Sequence, residues 1–221
     1  MFASLSTGRN ESLNHLLNLK NLYNRYFAMR HGHSLANQQG VIVSHPENGI
    51  QGYGLSERGV LQVTQTMQSG NQLDAKTLII TSDFKRASGS AAIVHQYLEC
   101  ESEIFFDVRL RERNFGDLEL TADSNYGSVW EQDQTDPDNH FRGVESANQV
   151  MQRVTALVFE YENKISGKTL LLISHGDALQ ILQTAFLKED ASRHRAQMHL
   201  DTAEIRQLAL PAAGLRRHPT S

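Results

Sequence analysis

Two short runs limit what this chain can fold into: TLIITSD (77–83) and KTLLLIS (168–174). Each is continuously apolar rather than alternating. A strand of that kind has no face to give to water, so it belongs in a sheet covered on both sides. Segments of helical period lie between such runs. LSERGVLQVTQTMQSGNQL offers Ser56 as an N-cap, with Val60, Val63 and Met67 spaced as on a helix. KRASGSAAIVHQYLEC reads as a helix despite Gly89. SANQVMQRVTALVFEYENKI (146–165) puts Val150, Val154, Leu157, Val158 and Tyr161 on one face, and DALQILQTAFL (177–187) adds a last helix. YFAM, EIFFDVRL (103–110) and AEIRQLAL (203–210), which Pro211 ends, complete the strands. The alternation predicts an α/β fold: a three-layer α/β/α sandwich around a mostly parallel central sheet. From Arg111 to about Glu145 no period is sustained. This stretch, with Phe115, Tyr126, Trp130 and Phe141, is expected to form an irregular lid anchored to the core.

The 221 residues suffice for a sizeable core. Net charge is −4, so no global positive field draws in nucleic acid, and an anion site has to be a local pocket. The single cysteine, Cys100, excludes an intrachain disulfide and a cysteine zinc site, and suits a reducing compartment. No apolar run approaches the roughly 18 residues of a membrane span. The first residues lack the basic and apolar regions of a signal peptide. A cytoplasmic protein without membrane or nucleic-acid partners is expected; no feature specifies an oligomeric state. Residues 1–25 read as an N-terminal extension before a domain at 26–221. Leu13, Leu16 and Leu17 in it suggest a short amphipathic helix or a loosely docked arm.

In open α/β sheets ligands bind beyond the carboxyl ends of the strands. Polar residues recur there. The first strand ends in Arg30-His31-Gly32, the second in Ser82-Asp83 leading to Arg86. The third ends near Arg109 and Glu112, the fourth in Ser174-His175-Gly176. Two guanidiniums facing one point repel each other unless an anion lies between them, and their planar forks match phosphate oxygens. Neighbouring cations keep an imidazole neutral and nucleophilic. A glycine after each histidine lets backbone approach the anion. These pieces fit attack by histidine on phosphorus. A metal site at His31 and His33 is the rival reading, but Arg30 and Arg86 would repel a cation. A protein that senses a phosphorylated metabolite without turnover is another, but binding alone needs no proton donor such as Glu112. Ser34 suits an N-cap or loop hydrogen bond better than catalysis. SRHRAQMHL (192–200) reads as a solvated basic face, with a second anionic group as the alternative occupant. LRRHPTS at the end reads as a frayed tail.

RHGHSLAN (30–37) resembles the signature of the histidine phosphatase superfamily, the phosphoglycerate mutase-like fold. LSERGVLQV, TSDFKRASGSA, LRERNFGDLE, GVESANQVMQRV and LLLISHGDALQILQ are similar to further segments in the family's order, over residues 26 to about 210. The resemblance implies a catalytic domain at 26–221 acting on a small phosphorylated substrate with no metal or other cofactor. It implies His31 as the nucleophile that becomes phosphohistidine. Arg30, Arg86 and His175 would bind the phosphoryl oxygens, with Asn37 donating to the same group or orienting the site. Glu112 would protonate the leaving oxygen and then activate water. His33 stands where the family often has Gln or Glu, as either a substrate contact or a solvent-facing loop residue. Residues 113–145 lack the arginine pair and proline run of the glycolytic mutases, which favours hydrolysis over mutase activity.

Overall fold

The computed structural model describes residues 13–212. Strand β1 (Arg25–Arg30) leads into two short helices, α1 (Leu35–Gln39) and α2 (Pro46–Gly49), and then α3 (Glu57–Gln68). Next come β2 (Leu78–Thr81), α4 (Lys85–Leu98), β3 (Phe105–Phe106), α5 (Tyr126–Thr135) and α6 (Ala147–Lys164). Strand β4 (Thr169–Ser174), α7 (Gly176–Phe186) and β5 (Ile205–Leu208) complete the chain. The strands form one sheet in the order β3-β2-β4-β1-β5. All pairs are parallel except β1 with the edge strand β5.

Alternation along the strands sorts side chains into two cores. Tyr26, Ala28, Leu170 and Leu172 pack with α6 and α7 on one face. Phe27, Met29, Leu171 and Ile173 pack with Val63 and Met67 of α3 and Ala87, Ala91 and Val94 of α4 on the other. This is the three-layer sandwich expected from the continuous apolar runs. Two caps fix where the helices begin. Ser56 Oγ accepts from Gly59 N at 3.2 Å, and Ser146 forms a reciprocal capping box with Gln149.

Three expectations need correction. Of the strand expected at 103–110, only Phe105 and Phe106 pair with β2. The Asp107 carboxylate accepts from Arg109 N at 2.9 Å, turning the chain into a 3-10 turn over Val108–Leu110. Among the described residues before β1 there is no helix but a series of turns, so of the two readings of this stretch the docked arm holds. Leu16 is fully buried in the α6–α7 core, while Leu13 and Leu17 are exposed. Asn14 Nδ2 donates to Ala185 O at 3.0 Å, which pins this arm to α7. The segment 192–200 is only in part a solvated basic face: Arg193 and His199 are exposed, but His194 is buried, and a 3-10 turn (Ala191–Ala196) packs on α5, α6 and α7. The terminal LRRHPTS lies outside the described residues.

Residues 113–145 hold their own small core of Phe115, Leu118, Val129 and Val144, joined by Ile42. Helix α5 went unseen in the sequence because it buries only Val129 and Asp133, too few apolar positions for a stripe. Among the described residues, no helix is long and apolar enough to cross a membrane.

Candidate active site

The register of β1 on β4 sets Arg30 beside Ser174, so His31 and His175 leave adjacent strand ends together. Their rings lie 5.1 Å apart at 60°. His31 Nδ1 is 2.8 Å from Gly32 O. A carbonyl only accepts, so Nδ1 carries the proton and Nε2 keeps its lone pair. Arg86 Nε donates to that lone pair at 3.1 Å. Burial, then Arg86 and Arg30, hold the His31 imidazole well below its ordinary pKa. The sequence pointed to the cations; burial is the larger cause.

Arg86 reaches the site from the first turn of α4, its Nη2 donating to Val43 O at 2.8 Å. Arg30 is held by Leu200 O at 3.1 Å and by the His199 ring. His175 Nε2 lies 2.9 Å from Ser82 Oγ. Ser82 has no other acceptor for its proton among the described residues, which assigns the hydroxyl as donor and leaves the proton of His175 on Nδ1. Among the described residues, the buried Arg30 Nε, Arg86 Nη1 and His175 Nδ1 then have no hydrogen-bond partner, and neither does Arg195 Nη1 in the same cavity wall.

Glu112 follows the 3-10 turn, and the peptide before it is tied to β4 by Ser174 Oγ donating to Leu110 O at 2.6 Å. None of the neighbouring arginines takes its carboxylate. Arg109 pairs with Asp107 and Glu160, Arg111 with Asp83, and Arg113 with Asp133 and Asp177. Glu112 accepts instead from Arg113 N at 2.9 Å and Ala178 N at 3.3 Å. Burial, then the Asp177 carboxylate, push its pKa up against the pull of Arg86.

Arg30, His31, Asn37, Arg86 and Glu112 line one cavity of about 310 Å³. His175 lies fully buried against His31 and Phe84 and is not itself in the lining. Asn37 faces the cavity from α1, where its Oδ1 accepts from Ser34 N at 3.0 Å and Ser34 Oγ at 2.9 Å; Ser34 is the N-cap. His33 stands outside the lining, its Nδ1 2.9 Å from Ser56 Oγ. Gly32 serves a different close approach from the one expected. A Cβ there would lie 2.6 Å from Gly59 O, so the glycine seats the loop on α3 rather than against an anion.

Sequence reasoning missed part of the wall. Tyr126 and Trp130 of α5, Asp177 of α7, and Arg195 and His199 of the strap after α7 all line the cavity. Trp130 Nε1 donates to Asp177 at 3.0 Å, and the Arg195 guanidinium lies 3.7 Å from the centre of the Trp130 ring. The basic run 192–200 was the available signal, but nothing local says that it folds back over the strand ends.

Fold and site together define an α/β protein with a neutral, buried histidine beside two buried arginines at the carboxyl ends of its strands. The chain belongs to the histidine phosphatase superfamily (branch 1), whose model it matches over residues 26–216. It is 31% identical over 169 residues to the probable phosphoglycerate mutase GpmB of Escherichia coli O1:K1 / APEC, covering 73% of this chain and 74% of that one. Its fold is similar to a mycobacterial glucosyl-3-phosphoglycerate phosphatase solved with VO3, with TM-score 0.70 and 24% identity over 83% of this chain and 91% of that one. The alpha-ribazole phosphatase of Shigella flexneri is also similar, with TM-score 0.63 and 20% identity over 83% and 89%.

Proposed function

We propose that the protein is a metal-independent phosphomonoesterase that works through a phosphohistidine at His31. One observation carries this reading: three buried, unpartnered N–H donors surround an imidazole whose Nε2 holds a lone pair. A phosphoryl group has three non-bridging oxygens, one for each of Arg30 Nε, Arg86 Nη1 and His175 Nδ1. In the first step Nε2 attacks phosphorus, the ester P–O bond breaks, and Glu112 gives its proton to the departing oxygen. In the second, the Glu112 carboxylate takes a proton from water, the water oxygen attacks phosphorus, and the P–N bond breaks. Arg86 Nε must leave the lone pair of His31 before attack, and a phosphoryl oxygen is its natural new partner.

Labelled substrate tests this. Brief incubation should leave phosphate on His31, in an acid-labile bond stable to alkali. Label on a serine or aspartate would overturn the reading. His31→Ala should remove the label and keep the fold. A mutase is the second reading, favoured by the name of the curated relative. Chasing the labelled enzyme with phosphoglycerate separates the two: transfer to the acceptor ahead of water marks a mutase, release as inorganic phosphate a phosphatase.

Arg86→Lys should be costly although it keeps the charge. Lys has no planar fork to hold Val43 O with one nitrogen while separate nitrogens face His31 and a phosphoryl oxygen. A loss of about ten- to a thousandfold in kcat/KM is expected, as for one oriented donor. Activity within about twofold of wild type would place Arg86 outside the chemistry.

A further inference from the structure

Tyr126 lines the cavity, and its hydroxyl has no hydrogen-bond partner among the described residues. Its ring is fixed without it. Phe115 packs edge-on at 4.7 Å, and Trp130, one turn along α5, stacks at 5.5 Å and 9°. Asp177 and Arg195 in turn hold Trp130. Burial, then the Glu112 and Asp177 carboxylates, push the phenol pKa up against Arg86 and Arg30, so it stays a neutral O–H. This group is packed on both sides and undissociated, shares the cavity with the acid and the arginines, and is unpaired among the described residues.

The phosphoryl site proposed above, on which this inference rests, accounts for three of the buried donors, and Arg195 Nη1 is a further one in the wall. Three N–H groups match the non-bridging oxygens, and Glu112 matches the ester oxygen. The phenol lines the same cavity as Glu112, the residue proposed to meet the leaving oxygen. A neutral phenol both donates and accepts, which complements an alcohol. The lining also holds Asn37, Asp123 and Ser124, together with His199 and with Arg195, whose charge lies 3.7 Å from the Asp177 carboxylate. Asp123 is exposed there, and its carboxylate favours a hydroxyl donor over a second anion.

We propose that Tyr126 is a specificity-determining residue that hydrogen-bonds a hydroxyl beside the ester carbon, so that the substrates are phosphate monoesters of polyols or sugars. Tyr126→Phe keeps the ring stack and deletes only the hydroxyl. The probes are glycerol 3-phosphate and n-propyl phosphate, which differ in the leaving-group hydroxyls. Wild type should prefer glycerol 3-phosphate by about tenfold or more in kcat/KM, the worth of one well-made hydrogen bond. The variant should lose about tenfold on glycerol 3-phosphate and less than about twofold on propyl phosphate. The ratio of the two rates within one variant cancels any general loss of folded protein. Equal losses on both esters, or no loss on either, would overturn the assignment of Tyr126 while leaving the phosphatase reading intact. Hydrolysis of neither ester by wild type, with no phosphohistidine formed, would overturn both.

Discussion

Glu112→Gln is expected to slow phosphorylation of His31 by a sugar phosphate about 10²- to 10⁴-fold, and by p-nitrophenyl phosphate much less. An alkoxide is a poor leaving group and needs a proton as the P–O bond breaks. A nitrophenolate leaves well near neutral pH without one. Gln keeps the size of Glu112 and an oxygen for the Arg113 and Ala178 N–H groups, but it cannot deliver the proton. Burial and Asp177 hold the acid protonated to higher pH than an ordinary carboxyl. The contrast belongs to the first step alone, because the second needs Glu112 as base whatever the substrate was. Single-turnover phosphorylation is therefore the measurement, not kcat. Equal slowing for both substrates would show that Glu112 only shapes the pocket.

Asp133→Asn should cost about 3 kcal/mol of folding stability. The Arg113 guanidinium is fully buried and fork-paired with Asp133 at 2.6 and 2.8 Å. His194 Nε2 lies 3.0 Å from the same carboxylate, and Asn139 Nδ2 donates to it at 2.8 Å. Losing one partner of a buried pair leaves an uncompensated charge, worth about 3–5 kcal/mol. The low end is expected because Asp177 Oδ2 remains 3.4 Å from Arg113. Burial alone would raise the Asp133 pKa, but hydrogen bonds from Arg113 and His194 hold it well below the usual carboxylate range. Its folded pKa is depressed, so its stabilisation is present above the unfolded value, about 3.9. It is lost as pH falls below that value and through the folded pKa. Urea unfolding of wild type and variant should converge at low pH. A variant as stable as wild type at pH 7 would show that Asp177 alone compensates Arg113.

Much of this architecture can be read from residue order. The apolar runs that became β2 and β4 carry their own burial, and α6 shows its stripe and its cap. The strand-end residues Arg30, His31, Arg86 and Glu112 meet because a parallel sheet brings its carboxyl ends to one edge. What stayed hidden was non-local or polar. Asp107 ends β3 early through a single side-chain bond, against strand propensity on both sides. Helix α5 is held by a buried ion pair rather than an apolar face. Tyr126, Trp130, Arg195 and His199 join the site only through contacts between distant segments. No window of sequence contains those contacts.

The strand order has a consequence for biosynthesis. Strand β1, which ends at His31, bonds only to β4 and β5, both made more than a hundred residues later. Strand β2 is made much earlier but is separated from β1 by β4. A chain emerging from the ribosome therefore carries its reactive loop long before any partner exists to order it, and its central sheet cannot close until residues 169–174 arrive. The two histidines can thus meet only after β4 has been made and paired with β1.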